Sequence, residues 1–215
     1  MKWTMVIDLT TCVGCWACVM ACKQEHFLPR DILWGRIAMT ETGTFPKVTK
    51  QIVPLLCNHC QDAPCVKVCP TGATVVREDG IVYVNYDQCV GCRYCVIACP
   101  YQHRTFLASI KEYHTGHGFT EFEKIGRQLY PIQEGTVLKC NFCMERIDNG
   151  IRKGLKPGID REATPACVIA CPTRSRYFGD QDDPEAEVVK IIRERKGFQL
   201  HKELGTEPSV YYLYY

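Results

Sequence analysis

The residues of this chain that could do chemistry are its cysteines. Cys89-Val90-Gly91-Cys92-Arg93-Tyr94-Cys95 continues as Val96-Ile97-Ala98-Cys99-Pro100, a C-x2-C-x2-C-x3-C-P run. Its first three sulfurs sit on a tight loop, close enough to bind three corners of one [4Fe–4S] cubane. The fourth lies about one helical turn further on and points away, toward a different cluster. One such run therefore demands another. Cys12, Cys15, Cys18 and Cys22 repeat the spacing. Cys57, Cys60, Cys65, Cys69 and Pro70 widen the middle gap to four residues, and Cys140 and Cys143 are followed by a 23-residue spacer, then Cys167, Cys171 and Pro172. The four groups use all sixteen cysteines. At four thiolates per cluster the count is four [4Fe–4S] centres.

Other sulfur chemistries fit less well. Disulfides suit an oxidising compartment but do not require this repeat. Structural zinc uses paired C-x2-C knuckles, whereas the first and third groups are triples followed by an outlier. The C-x3-C-x2-C triple of radical-generating clusters occurs nowhere. No nucleophile–base constellation and no phosphate-binding glycine loop is evident.

The 215 residues suffice for one large or two small domains, with a formal charge of +2. Four oxidised cubanes with their thiolates carry about −2 each, which takes the holoprotein to about −6 and removes any case for nucleic acid. Lysines and arginines near the cysteines are expected to offset cluster charge. Clusters take up interior volume, so the apolar core should be modest and the metal should staple the fold. No charged n-region with an apolar h-region opens the sequence, and no window reaches the length of a membrane span. The expectation is a soluble chain without its own export signal, reaching a membrane only through another subunit.

The elements that must position these sulfurs read as α+β, with short strands, short helices and long loops. A strand over 3–9 leads into the first group, and a helix runs from near Cys15 to Glu25, its Ala17, Ala21, Cys18 and Cys22 turned inward. Lys23 stands where the other groups place proline, so this helix need not stop there. Residues 31–53 form a hairpin insertion turning around Glu41-Thr42-Gly43. Residues 54–102 form a complete inner two-cluster ferredoxin with strands at 74–76 and 81–84, nested within an outer one built from 1–30 and 138–180. Residues 103–137 are a partner-facing surface insertion, and Met144–Ala166 is a solvated basic loop. Residues 181–215 supply an amphipathic helix over 184–196 and a tyrosine-rich tail that packs on the protein or a partner. His26 and His59, beside or between ligands, are candidate hydrogen-bond donors to cluster sulfur.

With the pattern laid out, the chain resembles the four-cluster iron–sulfur subunits of the dimethyl-sulfoxide-reductase (molybdopterin oxidoreductase) superfamily. The likeness rests on Met5-Val6-Ile7-Asp8 before Cys12, Cys57-Asn58-His59-Cys60, Lys139-Cys140-Asn141-Phe142-Cys143, Pro165-Ala166-Cys167 and Phe178-Gly179-Asp180. The tail Gly205–Tyr212 looks closest to the polysulfide- and arsenate-reductase branch. The resemblance implies four ligand quartets. They are Cys12, Cys15, Cys18 and Cys171; Cys22, Cys140, Cys143 and Cys167; Cys57, Cys60, Cys65 and Cys99; and Cys69, Cys89, Cys92 and Cys95. Some relatives hold a [3Fe–4S] centre where a third-group cysteine is replaced, but here Cys92 is present. It also implies a non-catalytic electron-transfer subunit serving anaerobic respiration. The Cys12 cluster would lie nearest a molybdenum or tungsten pterin subunit, and the Cys69 cluster nearest a quinone-linked membrane subunit or other carrier. Co-export with a partner would place it at the periplasmic face. The competing readings are a ferredoxin-like subunit of a hydrogenase or carbon-oxidising complex, and a structural subunit stapled by metal.

Overall fold

A computed structural model describes residues 1–214. Its centre is β1 (Trp3–Asp8), buried along its whole length. β8 (Arg176–Asp180) pairs with it antiparallel and β9 (Val210–Leu213) parallel, giving the order β8-β1-β9. Strand alternation sends Trp3, Met5 and Ile7 to one face, against Phe142, Phe178 and Tyr212. Val6 points the other way, onto Val188, Val189 and Leu213 beneath α7 (Glu187–Glu194). Each such side chain contributes roughly 1.5–3 kcal/mol on burial. A single sheet thus draws together both ends of the chain.

Around this sheet lie the elements that carry cysteines. α1 (Ala17–Glu25) follows Trp16, whose left-handed backbone turns the chain into the helix. Val19 and Cys22 are its buried residues, while Ala17 and Ala21 are only half-buried. α2 (Pro64–Lys67), α3 (Tyr94–Ile97) and α6 (Ala166–Ile169) occupy the corresponding places, each with four residues. They stop ahead of Pro70, Pro100 and Pro172, since proline disfavours helix at the residue before it. With Lys23 instead, α1 reaches nine residues. β4 (Thr74–Val76) and β5 (Val82–Val84) form a small antiparallel pair between the second and third groups.

Several sequence expectations are corrected. The hairpin is β2 (Arg36–Thr44) and β3 (Lys47–Leu55), and it turns at Phe45-Pro46 rather than at Glu41–Gly43. Gly43 pairs with Val48 inside the ladder, and Pro46, with no N–H to offer, falls at the tip. Residues 103–137 are more than a loop. β6 (Thr105–Leu107) pairs with β7 (Thr136–Leu138), and α4 (Glu121–Leu129) lies between them. α4 begins in a capping box in which Thr120 and Glu123 satisfy each other's backbone N–H. The basic spacer opens with α5 (Met144–Arg152), anchored where Arg146 donates to Glu25 and to the Thr164 and Arg161 carbonyls. The C-terminal helix begins at Glu187, three residues past Pro184. The tail packs on the protein itself as β9, and Tyr215 lies outside the described residues. No helix among the described residues is long and apolar enough to cross a membrane.

Candidate metal centres

The first and third cysteine groups have one backbone shape. Gly14 and Gly91 both have φ +67°, and Trp16 and Arg93 both have φ +65°. His59 in the second group, and Phe142 and Cys143 in the fourth, are left-handed too. Left-handed residues inside a tight loop gather successive backbone N–H groups into a concave, anion-binding arrangement. That arrangement suits an anionic cluster ringed by thiolates.

All sixteen cysteines are free thiols. Among the described residues, no three metal-binding side chains converge closely enough to hold a single ion. Cys22 is driven well above the usual thiol range by burial, with the neighbouring charges of Cys140, Cys143 and Cys167 adding to it. Cys60 is pushed up to about 12 by burial and Cys57, with Cys65 and Cys99 contributing against a hydrogen bond from Thr206. Cys69, Cys89, Cys92 and Cys95 line one cavity together. Cys18 lies near Cys167, and Cys18 and Cys171 both face Arg176. Cys171 is the softer thiol. Burial raises it, but Ser175 and Thr173 outweigh that by hydrogen bonding, with Ser175 Oγ at 3.1 Å. Cys69 is lowered in the same way by Thr74 and Thr71.

Comparison with known proteins agrees with this donor set. Two family models, each described as a 4Fe-4S dicluster domain, match residues 48–116 and 11–73. A selenate reductase subunit of Mesobacillus selenatarsenatis is 42% identical over 99% of this chain and 72% of its own length. The iron–sulfur subunit of the arsenate respiratory reductase of Shewanella sp. (strain ANA-3) is 39% identical over 99% of this chain and 96% of its own. An iron–sulfur subunit of the Hdr-like menaquinol oxidoreductase of Archaeoglobus fulgidus is 37% identical, over 98% and 82% respectively. The chain belongs to the iron–sulfur electron-transfer subunits of the molybdopterin oxidoreductase superfamily. Its sixteen thiols hold four [4Fe–4S] clusters.

Both histidines singled out in the sequence of this electron-transfer chain stand among its sulfurs. His26 is buried between Trp34 and Tyr130, with ring centroids at 4.5 and 5.0 Å, and its Nε2 lies 3.3 Å from Cys143 Sγ. Burial and then Arg146 lower its pKa to about 3, so the ring is neutral. His59 accepts the Val82 N–H on Nδ1 at 3.0 Å, which leaves the ring proton on Nε2. That Nε2 is buried with no acceptor from the protein. An orphaned donor between two ligand cysteines fits a cluster whose sulfur would receive it. His59 also stacks on Phe142 at 3.7 Å, joining the second cysteine group to the fourth.

Basic residues were expected beside the cysteines, but three buried cations among them were not singled out in the sequence. Arg104 is 5% exposed, and its Nη2 donates to Cys65 Sγ at 2.9 Å and Nη1 to Thr74 Oγ1 at 3.2 Å. Arg176 is 7% exposed, with Nη1 3.9 Å from Cys167 Sγ and 3.4 Å from Met5 Sδ. Lys139, at 3%, donates to the Val82 and Cys140 carbonyls. A signal was present for two of them. Arg104 and Arg176 each lie five residues beyond a Cys-Pro ligand, Cys99 and Cys171, as a second level of the internal repeat.

Proposed function

We propose that the four quartets form one ordered wire between two exits, with the catalytic chemistry on a separate molybdenum or tungsten pterin subunit. The ligand sets are Cys12/15/18/171, Cys22/140/143/167, Cys57/60/65/99 and Cys69/89/92/95, nested as an inner unit over 54–102 and an outer one from 1–30 with 138–180. When bound, the clusters supply one-electron storage and transfer. The protein's part is to hold them in order, exclude water from the middle and leave the ends open. One observation carries this reading: among the described residues, Cys15 and Cys92 are the only exposed cysteines, one in each terminal quartet. In the two middle quartets every cysteine is buried or half-buried.

Each exit has exposed apolar residues nearby in sequence that suit docking. Val13, Trp16 and Met20 flank Cys15 along the chain, and Val90, Tyr94 and Ile97 flank Cys92. On our reading, the Cys15 exit faces the pterin subunit, as the family resemblance implies. The Cys92 exit then serves a quinone-linked membrane partner or another carrier, in keeping with the menaquinol in one relative's name. Such a partner would hold the chain at the membrane periphery, on the periplasmic face when co-exported with a signal-bearing subunit.

The test is anaerobic isolation of the intact complex from its native cells. About sixteen irons per chain and a pterin-containing partner are expected. Trp16→Glu should release that partner, and Tyr94→Glu should leave it bound. A nickel or thiamine partner, or zinc in place of iron, would overturn the reading.

A further inference from the structure

The buried cations pose a physical problem. Removing a charge from water costs several kcal/mol unless an anion answers it. Among the described residues no carboxylate pairs with Arg104, Arg176 or Lys139. What surrounds them is sulfur. Besides its contact with Cys65, the Arg104 guanidinium faces Cys95 and Cys57 and donates to Thr74, which lines the same cavity as Cys69 and Cys95. Arg176 faces Cys167, Cys18 and Cys171. Lys139 bonds the Cys140 carbonyl and, through the Val82 carbonyl, the residue whose N–H holds His59; its charge reaches both Cys140 and Cys65.

These partners are distributed in a specific way across the proposed quartets. Cys65 and Cys95 belong to the third and fourth, Cys140 and Cys65 to the second and third, and Cys18 and Cys167 to the first and second. Burial works against the charge on Arg104 and Arg176, and the thiolates outweigh it, so both hold their protons more tightly than usual. A guanidinium does not titrate in a protein, so its charge is permanent.

We infer that each of the three gaps along the wire is filled by one buried cation, Arg176, Lys139 and Arg104 in turn, which serves the clusters on both its sides. This rests on the quartet reading above. Reduction adds a negative charge to a cluster, and a cation in low dielectric stabilises that state and raises the potential. A cation shared between two neighbours favours the electron on either side alike. It therefore raises both potentials without trapping the electron on one of them, and it relieves repulsion when both are reduced. A side chain serving only as scaffold would alter stability but would not move two potentials together.

The experiment is a redox titration, followed by electron paramagnetic resonance, on the full chain purified anaerobically with its clusters. R104Q should lower the potentials of two of the four signals, each by at least tenfold in the reduction equilibrium, about 59 mV for a one-electron couple. R176Q should lower the other two, and R104K, which keeps the charge, should restore most of the loss. C65S and C95S mark the signals to which those ligands belong. Two different signals disturbed by the serine variants, with no paired shift in R104Q, would overturn the bridging role alone. One and the same signal disturbed by both would overturn the quartet assignment and the bridging role with it. A uniform shift of all four signals, or R104K behaving as R104Q, also overturns it. If R104Q cannot retain its iron, Lys139→Gln carries the test, with the two middle signals expected to fall and unchanged potentials overturning the proposal.

Discussion

The stretch 54–102 and the region assembled from the chain's two ends meet the same ligand requirement by different means. The contiguous stretch has one two-stranded sheet of three residues per strand and two four-residue helices. The assembled region pairs Trp3 with Asp180 and Met5 with Val210, and sets α1 against α6. Where ligands are close in sequence, loop shape and metal suffice. Where they are separated by more than a hundred residues, closing the loop costs entropy that a sheet and its apolar faces must offset.

Iron removal should break this comparison most sharply. After anaerobic chelation, hydrogen exchange should find the Arg77 and Val82 amides, held by the Ile81 carbonyl and His59, unprotected while Met5 and Val6 keep much of their protection. Equal loss in both regions would show that the sheet has no stability of its own. Buried thiols of the assembled region such as Cys140, pushed up to about 12, are protonated at neutral pH in the metal-free chain. Cluster insertion should therefore release protons, measurable with a pH indicator. Because these folded values lie above the unfolded thiol's roughly 8.5, whatever fold the metal-free chain keeps should weaken as pH rises from about 9 toward 12.

The matched loops offer a finer comparison. A methyl group on Gly91 would run into the backbone carbonyl of Gly135, whereas one on Gly14 would meet the flexible tip of Met39 at 2.7 Å. Both positions carry the left-handed penalty of roughly 1–2 kcal/mol. Gly91→Ala should therefore cost clearly more cluster occupancy than Gly14→Ala, measured as iron per chain and melting temperature.

Asp8 reports on the assembled region alone. It is buried on β1 and receives Arg195 and Thr10. Burial raises its pKa, and the bonds from Arg195 and Thr10 outweigh that and hold it below the usual carboxylate range. Its stabilising contribution is present above about pH 4 and is lost as pH falls through the lower folded value. Asp8→Asn should cost about 1.5–3 kcal/mol at neutral pH and flatten the acid limb relative to the native chain. Denaturant midpoints across pH 3–7 would show it. The smallest effect is expected at Thr120→Ala, about 1 kcal/mol local to α4 with no change in any cluster signal.

Much of this was legible because ligand spacing is a local property. The loop glycines, the prolines that stop α2, α3 and α6, and the Lys23 that lets α1 run on all act on neighbours in sequence. α4 could have been read from Thr120-x-x-Glu123 and the helical spacing of Phe122, Ile125 and Leu129, although that apolar stripe stays exposed and the helix buries only Gly126. α5 was obscured because the burial of Arg146 depends on Glu25, 121 residues away. The hairpin turn went astray because a glycine in the ladder looked like a turn residue.

The number of clusters and the identity of the cofactor were determined by the sequence alone, since sixteen thiols at fixed spacings leave little else for them to bind. Which cysteines face solvent, and which cations stand between them, was decided only by the tertiary structure. Burial and charge proximity arise from contacts such as Met5 with Arg176, 171 residues apart, and no local pattern encodes those.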